Sequence, residues 1–375
     1  MIDVYRAVSM AKIFVDEMEV SSGFKLFERS EPSAYARCFA IFIKSLCKDE
    51  LWIAEHKEQL IYSVNEDFNS FYLKRSKDNV NLELDKPILQ LLCFSLSALS
   101  ILGGTLNNAN HQVLKSYLEL DPVANMSERG VDKGIAGSGN QAMFMAIILL
   151  YADQYLNISK EAEIKKWIRF NTNSLNSNGF WGARRDITYL QFQNGYHQYE
   201  IFEYLGYSKA PWQKAAKKVL SLADDKGHFA PYPGGGGCYD YDAVFMLTSQ
   251  FTGDIEQKGI LSRTLETLLS EQNIDGGFCE SKLLRENGKS KLIPLAKHIL
   301  CQPNHLKFSS LITCCNLLRH KHRLVATHWT ATDRKWDESN LWDTFFRLSA
   351  ISRICIFLDL KEQNCFAPNN FPGIG

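Results

Sequence analysis

The chain has 375 residues, of which 45% are hydrophobic and 22% charged, and its 42 basic residues cancel its 42 acidic ones. Such a composition is ordinary for a globular protein and excludes disordered and fibrous classes. Without a net charge there is no basic footprint, so neither a nucleic-acid partner nor an anionic membrane is expected.

In chain order, the first twenty residues carry Asp3, Arg6, Lys12, Asp16 and Glu17. These interrupt the apolar run a secretory signal needs and predict an amphipathic helix. Helix pairs are predicted at 33–47 with 49–65 and at 87–102 with 107–120. The stretch 87–102, PILQLLCFSLSALSIL, is uncharged but holds Gln90, Ser95, Ser97 and Ser100. It falls short of the ~20 apolar residues of a membrane span, so it reads as a buried helix, and no transmembrane segment is expected. Ten cysteines lie scattered in settings such as LLCFSL and RICIFL, without the spacing of a disulfide frame or zinc ribbon. Reduced thiols and a cytoplasmic location follow.

From residue 130 onward a unit repeats. DKGIA, NGFWG, DKGHF and DGGFC place Gly134, Gly179, Gly227 and Gly276 at intervals of 45, 48 and 49 residues (179−134, 227−179, 276−227). An aromatic follows the last three, at Trp181, Phe229 and Phe278, and Trp329 comes 51 residues after Phe278 without its glycine. Between markers an apolar run (139–152, 196–206, 239–251, 340–358) alternates with amphipathic runs at 161–175, 211–223 and 260–270. A helix apolar all round is buried and an amphipathic one faces water, so each unit supplies one inner and one outer helix. The expected fold is all-α, an α/α toroid of about six helical hairpins forming one domain over 1–375. Within it, 1–120 is less regular and 281–306 is an insertion that folds as a lid over one mouth of the ring. Each marker glycine ends a helix with positive φ, a structural role.

Gln272-Asn-Ile-Asp-Gly276-Gly-Phe278 resembles the Gln-x-x-x-Gly-x-Trp repeat of the squalene and oxidosqualene cyclases and the prenyltransferase β-subunits; Gly179-Phe-Trp181 matches it with Leu175 in place of the glutamine. Tyr239-Asp240-Tyr241-Asp242-Ala243-Val244 resembles the Asp-x-Asp-Asp signature of class II terpene cyclases, with Ala243 replacing the last aspartate. The resemblance implies a toroid whose proton donor is Asp242. Family members usually place that acid between two helical barrels, and this chain has room for about one, which leaves space for a partner subunit or homodimer. Cys238-Tyr239 also resembles the prenyltransferase zinc site, but Gly236 stands where that site has an aspartate. One thiolate does not make a zinc site, so no metal and no cofactor are expected, with Cys238 as the alternative ligand.

Aligned inner helices set Tyr196-His197-Gln198 against Tyr241-Asp242-Ala243 and Trp342-Asp343-Thr344, with Asn140 in a comparable place. Polar side chains on the most apolar helices need partners, because leaving one buried and unsatisfied costs ~1–3 kcal/mol. Capping and the helix dipole are one reason for Asp240, Asp242 and Asp343. Chemistry is the other. A buried Asp242 beside Asp240 would hold a proton and deliver it to an alkene or epoxide, with Tyr239, Tyr241, Trp342, Trp329 and Phe345 steadying the cation. His197, flanked by Asn194, Tyr199 and Glu200, suits a base or proton shuttle. Arg184 suits an anionic substrate group, and His328 beside Trp329 suits substrate contact. The run 233–237, PGGGG, lacks the lysine of a P-loop and reads as a flexible lead into a helix or a substrate-binding loop. Asp224-Asp225 lacks the later aspartate of a magnesium-binding motif.

These residues fit a terpene cyclase-like enzyme acting on a small apolar or isoprenoid substrate. They also fit a glycan-processing hydrolase or lyase, since a toroid binds sugars with Asn, His, Tyr and acidic side chains. A non-catalytic scaffold remains a third reading.

Overall fold

The computed structural model describes residues 3–78, 81–83, 85–182, 186–250, 253–284, 292–319, 324–325, 332–368 and 371–373. The fold is all-α. Its helices are α1 (Val4–Glu17), α2 (Ala34–Leu46), α3 (Glu50–Arg75), α4 (Lys86–Leu102), α5 (Asn108–Leu118), α6 (Pro122–Glu128), α7 (Ser138–Tyr155) and α8 (Glu161–Asn173). They continue as α9 (Tyr189–Tyr204), α10 (Trp212–Leu220), α11 (Gly237–Thr248), α12 (Ile255–Ser270), α13 (Leu292–Cys301), α14 (Lys307–Leu317) and α15 (Leu341–Phe357). Strand is confined, among the described residues, to two antiparallel ribbons, Glu19–Val20 with Gly23–Phe24 and Leu324–Val325 with Arg334–Lys335.

The chain divides into two compact units, Met1–Asp49 with Gln213–Pro368 (unit 1) and Glu50–Trp212 with Asn369–Gly375 (unit 2). In unit 2, α4, α7 and α9 are buried almost all round, while α3, α5 and α8 show one face to water. In unit 1, α2, α11 and α15 take the buried role, and α1 and α12 are amphipathic. The inner-and-outer alternation read from hydropathy therefore holds in both units. Local signals set the ends: Ser33 and Thr188 cap α2 and α9 by accepting from Ala36 N and Gln191 N, and Gly103 closes α4 in the left-handed region.

Three of the four marker turns are one structure. The amide of Asn176, Asp224 or Asn273 donates to the carbonyl four residues on, at 2.7, 2.9 and 2.9 Å, and each glycine amide returns to that first residue's carbonyl. The glycine between has φ of 86°, 87° and 89° at Gly179, Gly227 and Gly276. A Cβ at Gly276 would stand 2.2 Å from the Met10 carbonyl oxygen, so this turn is pressed against α1 within unit 1. Gln272 reinforces it, donating to the carbonyls of Gly276 and Ala7 at 2.7 and 2.8 Å. The Gly134 turn keeps the positive φ, at 62°, but closes differently, through Ile135 N to the Gly130 carbonyl. Within 281–306, where the sequence suggested only an irregular insertion, α13 lies whole.

Candidate active site

Unit 1 encloses a charged cluster where α11 meets α15. Asp240, fully buried in the first turn of α11, accepts from His228 Nδ1 at 3.1 Å, Arg347 at 2.6 Å and the Phe229 amide at 2.7 Å. The His228 ring donates its other N–H to Glu271 at 3.1 Å. Burial opposes charge on this imidazole, but Asp240 and Glu271 outweigh it and push its pKa up to about 10. Burial likewise opposes the Asp240 carboxylate, and His228 and Arg347 prevail, holding it below the usual range. Asp240 is thus a fixed anion between two cations.

A second group adjoins it. The two oxygens of Glu280 accept from the Tyr232 hydroxyl and, at 2.9 Å, from Arg334, whose same nitrogen reaches Asp343 at 3.2 Å. Burial first, then the Asp343 charge, raises the Glu280 carboxyl to about 7 against the pull of Arg334 and Tyr232. Asn340 caps α15 by accepting from the Asp343 amide and donating to its carboxylate, while Asp343 Oδ1 finds no hydrogen-bond partner among the described residues.

The glycine run now has a reason. A Cβ on Gly234 would meet Ser281 Oγ at 2.2 Å, one on Gly235 would meet Asp240 Oδ2 at 2.1 Å, one on Gly236 the Tyr232 hydroxyl at 2.5 Å, and one on Gly237 Asp343 Oδ1 at 2.4 Å. Four consecutive residues lie directly on the charged cluster, and Arg347 donates to the Gly234 carbonyl at 3.2 Å. The run is a tightly seated strap, which corrects the reading of it as a flexible lead-in.

Asp242 is buried on α11. Two residues after Asp240, it projects roughly 200° around the helix from it. Cys238, one turn before Asp242, has its thiol pushed up by burial. Tyr241, Trp342 and Phe345, expected as cation-holding rings, are brought together: Tyr241 lies 5.3 Å from Phe346, which lies 4.5 Å from Trp342 and 5.2 Å from Phe345. Phe39 of α2 completes the group, 5.1 Å from Trp342. Tyr239 is edge-on to Tyr232 at 6.1 Å.

The other expected residues lie in unit 2. His197 is buried, and Asn140 donates to its Nε2 at 2.9 Å while itself accepting from Lys86 at 3.4 Å. Burial, then the Lys86 charge, lowers its pKa to about 3. The ring is neutral, and its protonated Nδ1 has no hydrogen-bond partner among the described residues. Asn194 holds the turn before α7, accepting from the Gly137 amide and donating to the Ile135 carbonyl, both at 3.0 Å. Its backbone is as close as its side chain, since a Cβ on Gly139 would fall 1.9 Å from the Asn194 carbonyl oxygen. Glu200 accepts from the Gly373 amide at 3.2 Å, tying down the tail. Arg184, His328 and Trp329 lie outside the described residues. No group of three His, Cys, Asp or Glu among the described residues is disposed to hold a metal ion, Cys238 included.

Sequence reasoning missed His228, Glu271, Glu280 and Arg347. Arg347 had a visible signal, a cation near the middle of the apolar run 340–358, where burial demands an ionic partner.

No family model matches the chain, and no curated protein gives a match. Among solved structures it is similar to the type II terpene cyclase MstE from Scytonema without ligand, at 14% identity over 73% of this chain and 80% of that one, with a TM-score of 0.46. A MstE variant in complex with its substrate geranylgeranyl dihydroxybenzoate shows 12% identity over 94% of this chain and 96% of that one, at a TM-score of 0.48. A second variant, without ligand, shows 10% identity at the same coverage and TM-score.

Proposed function

We propose that the chain is a terpene cyclase-like enzyme in which Asp242 is the general acid on an isoprenoid substrate. The observation that carries this reading is the asymmetry of the Asp-x-Asp pair. Asp240 is clamped as an anion by His228 and Arg347, whereas Asp242 is buried on another side of the same helix. An ionised neighbour and low-dielectric surroundings favour the protonated form of such a carboxyl. Its proton would pass to an alkene carbon, the π pair forming the new C–H bond and leaving a carbocation. The faces of Tyr241, Trp342, Phe345 and Phe346 suit that charge.

The test is turnover of isoprenoids from farnesyl to squalene length, with geranylgeranyl dihydroxybenzoate, the ligand of one similar structure, as the first probe. Asp242→Asn should lower turnover about a thousandfold with thermal stability retained, because removing a positioned acid costs 10²–10⁴. Full turnover by that variant would refute the assignment.

A second reading makes Glu280 the acid, supported by its elevated carboxyl and its contacts with Tyr232 and Arg334. In that case Glu280→Gln, and not Asp242→Asn, abolishes turnover, and activity falls as pH rises through about 7. Oligosaccharides in the same panel separate glycan chemistry from both.

A further inference from the structure

We propose that the buried helices of unit 2 form a sequence-specific peptide site for an aromatic-Pro-Gly segment, filled here by Phe371, Pro372 and Gly373 as an exchangeable latch. The three residues are buried, and each is recognised by a different feature. Phe371 enters a cup of tyrosines edge to face, 6.0 Å from Tyr151, 5.5 Å from Tyr155 and 5.9 Å from Tyr204. Such pairs add to what the buried area of the ring contributes. The Pro372 carbonyl accepts from Ser97 Oγ at 2.9 Å, and the Gly373 amide donates to Glu200 Oε1 at 3.2 Å. Ser97 and Glu200 are buried polar side chains on the apolar helices α4 and α9, and the backbone of the segment supplies a partner to both.

The seat also excludes alternatives. Proline has no N–H, so the second position brings in no donor that an apolar cleft would leave unpaired. Gly373 has a φ of 104°, and a Cβ there would stand 2.3 Å from Ile147 Cδ1, so a side chain is refused on both counts. With Ile147, Tyr151 and Tyr155 on α7, all three buried helices take part. A seat that reads one ring, one missing donor, two backbone groups and one missing side chain in three consecutive residues selects a peptide over an apolar ligand of any shape. Exchange follows from how the segment is held. Every residue of the seat lies in the continuous stretch Glu50–Trp212, so assembling the seat does not call on the segment. Tyr155, on the cup, is 38% exposed, so the seat opens to solvent. A short segment held by few contacts opens at a free energy below that of the unit it sits in.

The test needs no substrate and is independent of the role assigned to Asp242. It uses the full chain carrying Phe371→Asp, which vacates the cup because a carboxylate is costly to bury among apolar rings. A fluorescein-labelled peptide of residues 368–375 is titrated in and read by anisotropy. The expected result is saturable binding to this variant and binding about tenfold weaker or worse to the wild type, whose own segment competes. Phe371→Ala in the peptide should lower affinity about a hundredfold and Gly373→Ala about tenfold. Ser97→Ala in the chain should lower it about fivefold. No binding to the vacated chain overturns the proposal, as does equal binding of the three peptides. Should Phe371→Asp not fold, hydrogen exchange on the wild type decides: a Gly373 amide that exchanges well before the amides of α7 supports the latch, and one that exchanges only with them overturns it. A wild-type dimer that Phe371→Asp dissolves overturns occupancy by the chain's own segment and assigns the seat to that of a second copy.

Discussion

The two units bury polar groups in opposite ways. Unit 1 gathers Asp240, Glu271, Glu280, Asp343, His228, Arg334 and Arg347 into a lattice of charges that neutralise one another. Unit 2 buries a neutral histidine behind a single amide. A buried ion cluster persists only while its partners are all present, because each ion removed strands another in a low-dielectric interior. A neutral hydrogen-bonded pair carries no such debt.

The most damaging way to break this contrast is Arg347→Met, which withdraws the cation shared by Asp240 and Glu271. It should destabilise unit 1 by about 3–5 kcal/mol in chemical unfolding. A loss below about 1 kcal/mol would mean that water, not Arg347, balances Asp240.

Next comes His228→Gln, expected to cost about 2–3 kcal/mol at neutral pH. Its folded pKa of about 10 lies above the ordinary 6.5. The contribution of the charged ring is therefore fully present below pH 6.5 and is lost as pH rises through about 10. Wild type and variant should converge in stability on the alkaline side, and parallel curves would contradict the charged assignment.

His197→Gln should have the smallest effect, about 1 kcal/mol or less at pH 7. Here the sign reverses, because the folded pKa is lowered to about 3, so native His197 resists protonation while the unfolded chain accepts it. Wild-type stability is lost as pH falls from 6.5 toward 3, and the variant should flatten that slope. Two histidines in one chain thus predict opposite pH responses, readable from the same set of unfolding curves.

Much of this was legible in the sequence, and the rest fails for a single reason. Helix positions follow from local hydropathy, and the marker glycines announce turns whose geometry the next few residues complete. Asp240 and Asp242 were recognisable from their own motif. Their partners were not, because Arg347 lies 107 residues from Asp240 and only the packing of α15 on α11 joins them. The glycine strap was misread as flexible for the same reason: what forbids a side chain at 234–237 is a set of groups brought in from His228, Ser281 and Asp343. Of the five rings expected to act together, Tyr241, Trp342 and Phe345 lie around Phe346, because all three stand near the starts of the packed helices α11 and α15. Glu280 was passed over because two residues after a marker it looks like the beginning of a loop.

The marker turn at Gly276, seated against Met10, also sets a timetable. Unit 2 is continuous from Glu50 to Trp212 apart from its last residues, so nearly all its contacts become available as soon as that stretch is synthesised. Unit 1 is split, and α1 and α2 leave the ribosome more than two hundred residues before the turn that α1 receives. Loop closure over that distance comes late, and the apolar faces of the first two helices are exposed meanwhile. The opening fifty residues are accordingly where a nascent chain would most need a chaperone.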